Sequence, residues 1–242
     1  MAITYQAIST VALKENNNDE SLTLNAPAGV TTDDLLVACI SFRGATTPSI
    51  PADWNLIERT ETGNLSANNN NARASGLMAW IKRGATNPSF VFGAVTGQQF
   101  PNLAFGYVVR IDGQDLTDPL AGSSVNTLAS TNTTVTTGGY TRSFLTATAD
   151  DYIEIMLCMG AQEVTWNTQQ YITGPTAMTE IAQRTSTAGR DGSIAVARTN
   201  VLGDTTGGFS AVSSAARRNA LIVASFGGPR STAAGYSFST FF

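Results

Sequence analysis

Asp33-Asp34-Leu35-Leu36-Val37-Ala38-Cys39-Ile40-Ser41-Phe42-Arg43-Gly44-Ala45 has an echo in the second half of the 242-residue chain, Asp150-Asp151-Tyr152-Ile153-Glu154-Ile155-Met156-Leu157-Cys158-Met159-Gly160-Ala161. Each is an acidic pair opening a strand-sized apolar run. Working outward, the segment WNLIERTETG from Trp54 to Gly63 resembles MTEIAQRTST from Met178 to Thr187. SGLMAWIKRGATNPSFVF from Ser75 is then matched by GSIAVARTNVLGDTTGGFSAV from Gly192. The halves close on LAFGYVVRIDG from Leu103 and ALIVASFGG from Ala220. Four blocks in one order at similar spacing make an internal repeat.

Within the blocks the apolar period is two. Leu22 and Leu24 alternate with Ser21, Thr23 and Asn25; Ile153, Ile155 and Leu157 alternate with Tyr152, Glu154 and Met156; Phe105, Tyr107, Val109 and Ile111 share a face. That period marks half-buried strands with one face on a core. No stretch sustains helical spacing, and Gly, Pro, Asn and Asp clusters separate the strands. The expected fold is all-β: an antiparallel β-sandwich, jelly-roll-like, built from two pseudo-repeated strand sets. Each set could supply one sheet, or the two could interleave. Residues 1–226 are expected to form a single sandwich domain, with pseudo-repeats at about 18–113 and 131–226, because no Pro- or Ser-rich linker divides them. Residues 112–139 are polar but hold a strand candidate around Val135. The loop Asn64 to Ala74 has no long counterpart in the second half and should project.

Composition narrows the function classes. Charged residues supply 13% of the chain, about half the usual share, and Thr, Ser, Asn, Gly and Ala fill the deficit. The net charge of −4 and scattered arginines argue against a nucleic-acid partner; Arg217-Arg218, the one adjacent basic pair, reads as a solvated turn. The start, Met1 to Gln6, lacks the basic and apolar regions of a signal peptide, and no apolar run approaches the ~20 residues of a membrane span. Cys39 and Cys158 lie in apolar strands and read as small buried hydrophobes, not as a disulfide framework.

The chain has no histidine, which removes Ser-His-Asp and Cys-His catalysis and His-containing zinc sites. Neither a phosphate-cradling G-x-x-x-x-G-K-[ST] nor a strand-linked G-x-G-x-x-G occurs. The pairs Asp33-Asp34 and Asp150-Asp151 could be imagined as glycosidase carboxylates, but Asp before a strand commonly ends a turn by accepting from nearby amides. Asp112, Asp115 and Asp118 offer oxygen ligands for a hard cation, and a polar turn before Pro119 explains them equally. Trp54 and Trp166, near turns, are freer to be exposed for stacking on sugar rings than Trp80, which sits in an alternating strand. No catalytic residue, cofactor or metal site is therefore expected.

Residues 227–242 lie beyond the repeat and form an aromatic tail or arm. It ends in Tyr236, Phe238, Phe241 and Phe242, candidates for partner binding. Aromatics at a terminus need burial, either as an extra strand on the chain's own sheet edge or as an arm on a neighbouring subunit.

Ser21-Leu22-Thr23-Leu24-Asn25-Ala26-Pro27-Ala28-Gly29-Val30, Asp33 to Ala38, Ile50-Pro51-Ala52-Asp53-Trp54-Asn55-Leu56-Ile57 and Val108-Val109-Arg110-Ile111-Asp112-Gly113 carry a family likeness. The order is an apolar strand, an AP-G turn, a D-D-LL strand, a P-x-x-W turn and a closing strand. It resembles a family of β-sandwich modules of bacteriophage virions and related bacterial surface proteins. The likeness covers about residues 18–226 and is stronger in the first half. It implies a sandwich in a virion or cell-surface setting and carries over no catalytic residues. The resulting expectation is a capsid decoration (cement) protein, made in the host cytoplasm and placed on the capsid surface. Its partners would be the major capsid protein and itself, as a homo-oligomer such as a trimer, with neither nucleic acid nor membrane. The alternative is a tail-fibre or receptor-binding module recognising cell-surface glycans.

Overall fold

A computed structural model describes residues 3–15, 21–43, 48–61, 74–94, 103–127, 132–140, 152–171, 177–186, 192–201 and 208–228. Over these residues the chain is all-β. The first half holds β1 (Thr4–Ile8), β2 (Ala12–Lys14), β3 (Ser21–Thr23), β4 (Leu35–Arg43), β5 (Asn55–Glu61), β6 (Ser75–Lys82), β7 (Val91–Gly93) and β8 (Leu103–Asp112). The second holds β9 (Leu120–Thr127), β10 (Asn132–Thr137), β11 (Tyr152–Gly160), β12 (Trp166–Tyr171), β13 (Thr179–Ser186), β14 (Gly192–Val201), β15 (Phe209–Arg217) and β16 (Asn219–Gly227).

Two large antiparallel sheets face each other. One has the order β1-β8-β4-β6-β5, with β2 also on β8; the other has β9-β16-β11-β14-β13. The two orders correspond strand for strand. The sets do not interleave between the two facing sheets, as the strands of a jelly roll would: the first half supplies one and the second half the other. The remaining strands cross to the outside, β3-β7 over the first sheet and β10-β15-β12 over the second.

This four-layer stack explains the continuous apolar runs. Leu35, Val37 and Cys39 point inward with Ile153, Ile155, Leu157, Phe105 and Val109, forming one core fed by both halves. Leu36, Ala38 and Ile40 point the other way, under Leu22, Trp54 and Phe92. Met156 and Cys158 lie likewise under Val135, Trp166 and Phe209. The half-buried strands expected from the period of two are thus buried on both faces in β4, β11 and β16. Each fully buried Leu, Ile or Met contributes on the order of 1.5–3 kcal/mol, so these three strands, together with the nearly as buried β8, carry much of the stability.

Edge strands repeat the correspondence in detail. In β5 the pairs Leu56–Ala79 and Glu58–Met78 leave Ile57 as an extra residue; in β13 the pairs Glu180–Ala197 and Ala182–Val196 leave Ile181. This shared bulge fixes the equivalence of Trp80 with Arg198, and hence of Val37 with Ile155. It also places Asp34 opposite Tyr152 in the repeat, so the two acidic pairs are one residue out of step. The other two edges are bulged as well, at Gln6 in β1 and Ala121 in β9.

Between the sheets, β5 lies over β9 and β16, β6 over β16 and β11, β4 over β11 and β14, and β8 over β14. Exchanging each strand for its counterpart maps the contacts among β4, β6, β8, β11, β14 and β16 onto one another, as an approximate twofold axis between the sheet centres requires, whereas the packing of β5 on β9 and β16 is not matched at β13. Hydrogen bonds cross at both margins, from Ser123 Oγ to Glu58 Oε1 at 2.8 Å and from Asn200 Nδ2 to the Ile3 carbonyl at 3.2 Å. At the centre, Gly76 permits close approach: a Cβ there would collide with Met159 Sδ and sit 2.6 Å from the Ile40 carbonyl oxygen.

Candidate functional site

The acidic residues singled out by sequence are engaged in local structure. Asp34 is buried, and its Oδ2 accepts from Arg110 Nε at 2.8 Å, from Thr31 Oγ1 at 3.1 Å and from the Thr31 amide. Around it the family-like motifs converge. Gly29 takes a left-handed φ of 68°, where a side chain is strained, and Arg110 Nη1 donates to the neighbouring Ala28 carbonyl at 3.2 Å. Asp33 also takes a left-handed φ, 71°, and its carbonyl accepts from Gln114 Nε2. Asp150 and Asp151 lie outside the described residues. The arrangement at Asp34 is a buried ion pair that closes a turn.

Asp112 Oδ1 accepts from the Gly113 amide at 2.7 Å, and Asp115 Oδ1 accepts from the amides of Thr117 and Asp118 at 2.8 and 3.0 Å. The bonds at Asp115 are Asx-type turn bonds, and that at Asp112 holds the next amide. Among the described residues no three His, Cys, Asp or Glu side chains are grouped to hold a metal. Glu154, fully buried on the outer side of β11, accepts from Tyr140 Oη at 2.6 Å.

The tryptophans invert the sequence expectation. Trp54 and Trp166, read as the exposed pair, are 4% and 3% exposed. Trp54 Nε1 donates to the Ser89 carbonyl at 2.7 Å, and its ring meets Phe90 and Phe92 edge-on at 6.0 and 5.6 Å. Trp166, the first residue of β12, packs with Phe209 and Val164 on the inner side of the second cover. Trp54 sits beneath the first cover, and the Trp166 side chain is buried in the core below the second, so neither offers a face to a ligand. Trp80, read as the packed one, is only partly buried against the central core.

Trp80 lines a groove of about 550 Å³ at the end of β6. Asp53 and Asn55 come from the entry to β5, Asn87 from the turn after β6, and Leu116 from the connector between the halves. Lys82 joins them; its Nζ donates to the Leu116 carbonyl at 3.0 Å and lies 4.0 Å from Asp33 Oδ1. Leu116 is 52% exposed. The sequence held one usable signal for this site, the replacement of Trp80 by Arg198 at the matched position. Reading it needs the bulge register, which only the structure provides.

Cys39 and Cys158 are free and buried. Tyr236, Phe238, Phe241 and Phe242, and nearly all of the Asn64 to Ala74 loop, lie outside the described residues. Comparison with known proteins finds no matching family model, no matching curated protein and no matching solved structure.

Proposed function

We propose that the chain is a non-enzymatic bacteriophage virion protein of the capsid-decoration (cement) kind, which binds the assembled head shell and stabilises it. The observation that carries this reading is the single core shared by both repeats. It yields a rigid unit whose described acidic side chains largely serve turns and strands. The low charge of the chain and the family-like motifs around Gly29, Asp34 and Arg110 support the same reading. The mechanism is passive. A protein that binds the assembled lattice, and not its dissociated subunits, stabilises the lattice by mass action, by about 2.7 kcal/mol per site at a hundredfold excess over Kd. The partners are the major capsid protein and further copies of this chain.

Adding purified protein to shells that lack it tests the proposal. Saturable binding and a higher disruption temperature are expected, and deleting Gly235 to Phe242 should weaken both. Labelling confined to the tail would instead favour the receptor-binding alternative, and shells that neither bind the protein nor gain stability would refute the decoration role.

A further inference from the structure

We propose that the groove beside Trp80 is a binding site for a neutral saccharide. Of the three tryptophans Trp80 alone is not buried, and it lines a groove of about 550 Å³. Small-ligand pockets typically run to ~300–1,000 Å³ and combine apolar or aromatic walls with a few fixed polar groups. The aliphatic C–H face of a sugar ring packs on an indole face, where apolar area is gained without desolvating hydroxyls. The hydroxyls at the ring's edge need acceptors and donors side by side. Asp53 supplies two carboxylate oxygens, Asn55 a carbonyl and an amide, and Asn87 an amide, its carbonyl already accepting from Arg83 Nε at 3.2 Å. Leu116 adds exposed apolar surface to the same groove.

Charge selects against an ionic ligand. Asp53 and Lys82 offset each other in the lining, and the ammonium already donates to the Leu116 carbonyl. A phosphate or an acidic sugar would meet the Asp53 carboxylate, with the engaged Lys82 as the cation of the lining and the nearby Arg83 guanidinium already donating to Asn87 Oδ1 at 3.2 Å and Thr32 Oγ1 at 3.3 Å. The repeat supplies an independent argument. At the matched position the second half has Arg198, which lies 4.6 Å from the Tyr5 ring centroid and donates to Asn200 Oδ1 at 3.3 Å. The shared scaffold therefore accommodates a polar residue there, and the fold does not demand the indole of Trp80. The inference stands apart from the virion reading, since a saccharide could be held by a head, tail or free protein alike.

The test uses the full chain on an array of defined neutral and acidic oligosaccharides, with hits titrated by ligand-observed NMR. At least one neutral saccharide should bind with a Kd in the millimolar range or tighter, and acidic ones should not. Asp53→Ala and Asn87→Ala, both on exposed positions, should each weaken that binding at least fivefold while leaving the circular dichroism spectrum unchanged. Trp80→Ala should abolish it; if that variant loses its fold, the two rim variants decide. Absence of binding by every neutral saccharide, a preference for acidic ones, or binding indifferent to Asp53→Ala and Asn87→Ala would overturn the proposal.

Discussion

Cys39 faces inward from β4 and Cys158 outward from β11, and neither thiol reaches solvent. Burial pushes both thiols up, and for Cys158 the charges of Glu180 and Cys39 add to it. In the unfolded chain a thiol ionises near pH 9. The folded value is the higher one, so this stability is fully present below pH 9 and is lost as pH rises above it. The slope approaches ~1.4 kcal/mol per pH unit for each thiol. Urea midpoints should accordingly fall between pH 8 and about pH 10, and Cys39→Ala should flatten the fall; an equally steep fall in that variant would exclude the thiol as its source. Tyr107, also raised by burial, pulls the same way. At this scale residue type was informative and partner identity was not. Asp34 is legible as a turn-closing acid, but its counterion Arg110 stands 76 positions away. The burial of Trp54 and Trp166 escaped because turn-adjacent chain has no period from which a face can be read.

Strand periodicity identified the inner faces correctly: Phe105, Tyr107, Val109 and Ile111 all enter the central core. It missed the covers, because an apolar run such as Leu35 to Ile40 records burial on two faces without saying what lies on the second. It also left the repeats one residue out of step at the acidic pairs, a slip that would interchange the inward and outward sides of β4 and β11. Only the bulges at Ile57 and Ile181, invisible as such in sequence, set the register. The elements approach closely at Gly76, where the obstacle to a methyl group includes the Ile40 carbonyl, part of the backbone and unable to rotate away. Gly76→Ala is expected to destabilise the protein by about 1–3 kcal/mol through overpacking, measured as a lower urea midpoint at unchanged slope. A neutral outcome would mean that the two sheets can part at β6 without loss.

For the whole molecule, order of blocks in the sequence announced the repeat, but the way the copies close on each other depends on contacts between distant strands. Since the central core draws on both halves, neither inner face is covered without the other. Chemical denaturation should show one transition, coincident by tryptophan fluorescence and by circular dichroism. Two separated transitions would mean that each repeat with its cover is stable alone. The bulged rims have a further consequence. A straight rim invites the next molecule to extend its hydrogen-bond ladder, and the invitation strengthens as molecules crowd together. Among the described residues the four long rims are kinked by Gln6, Ile57, Ala121 and Ile181, which makes neighbouring copies, laid shoulder to shoulder at local concentrations far above those in solution, poorer templates for seeding one another into fibres.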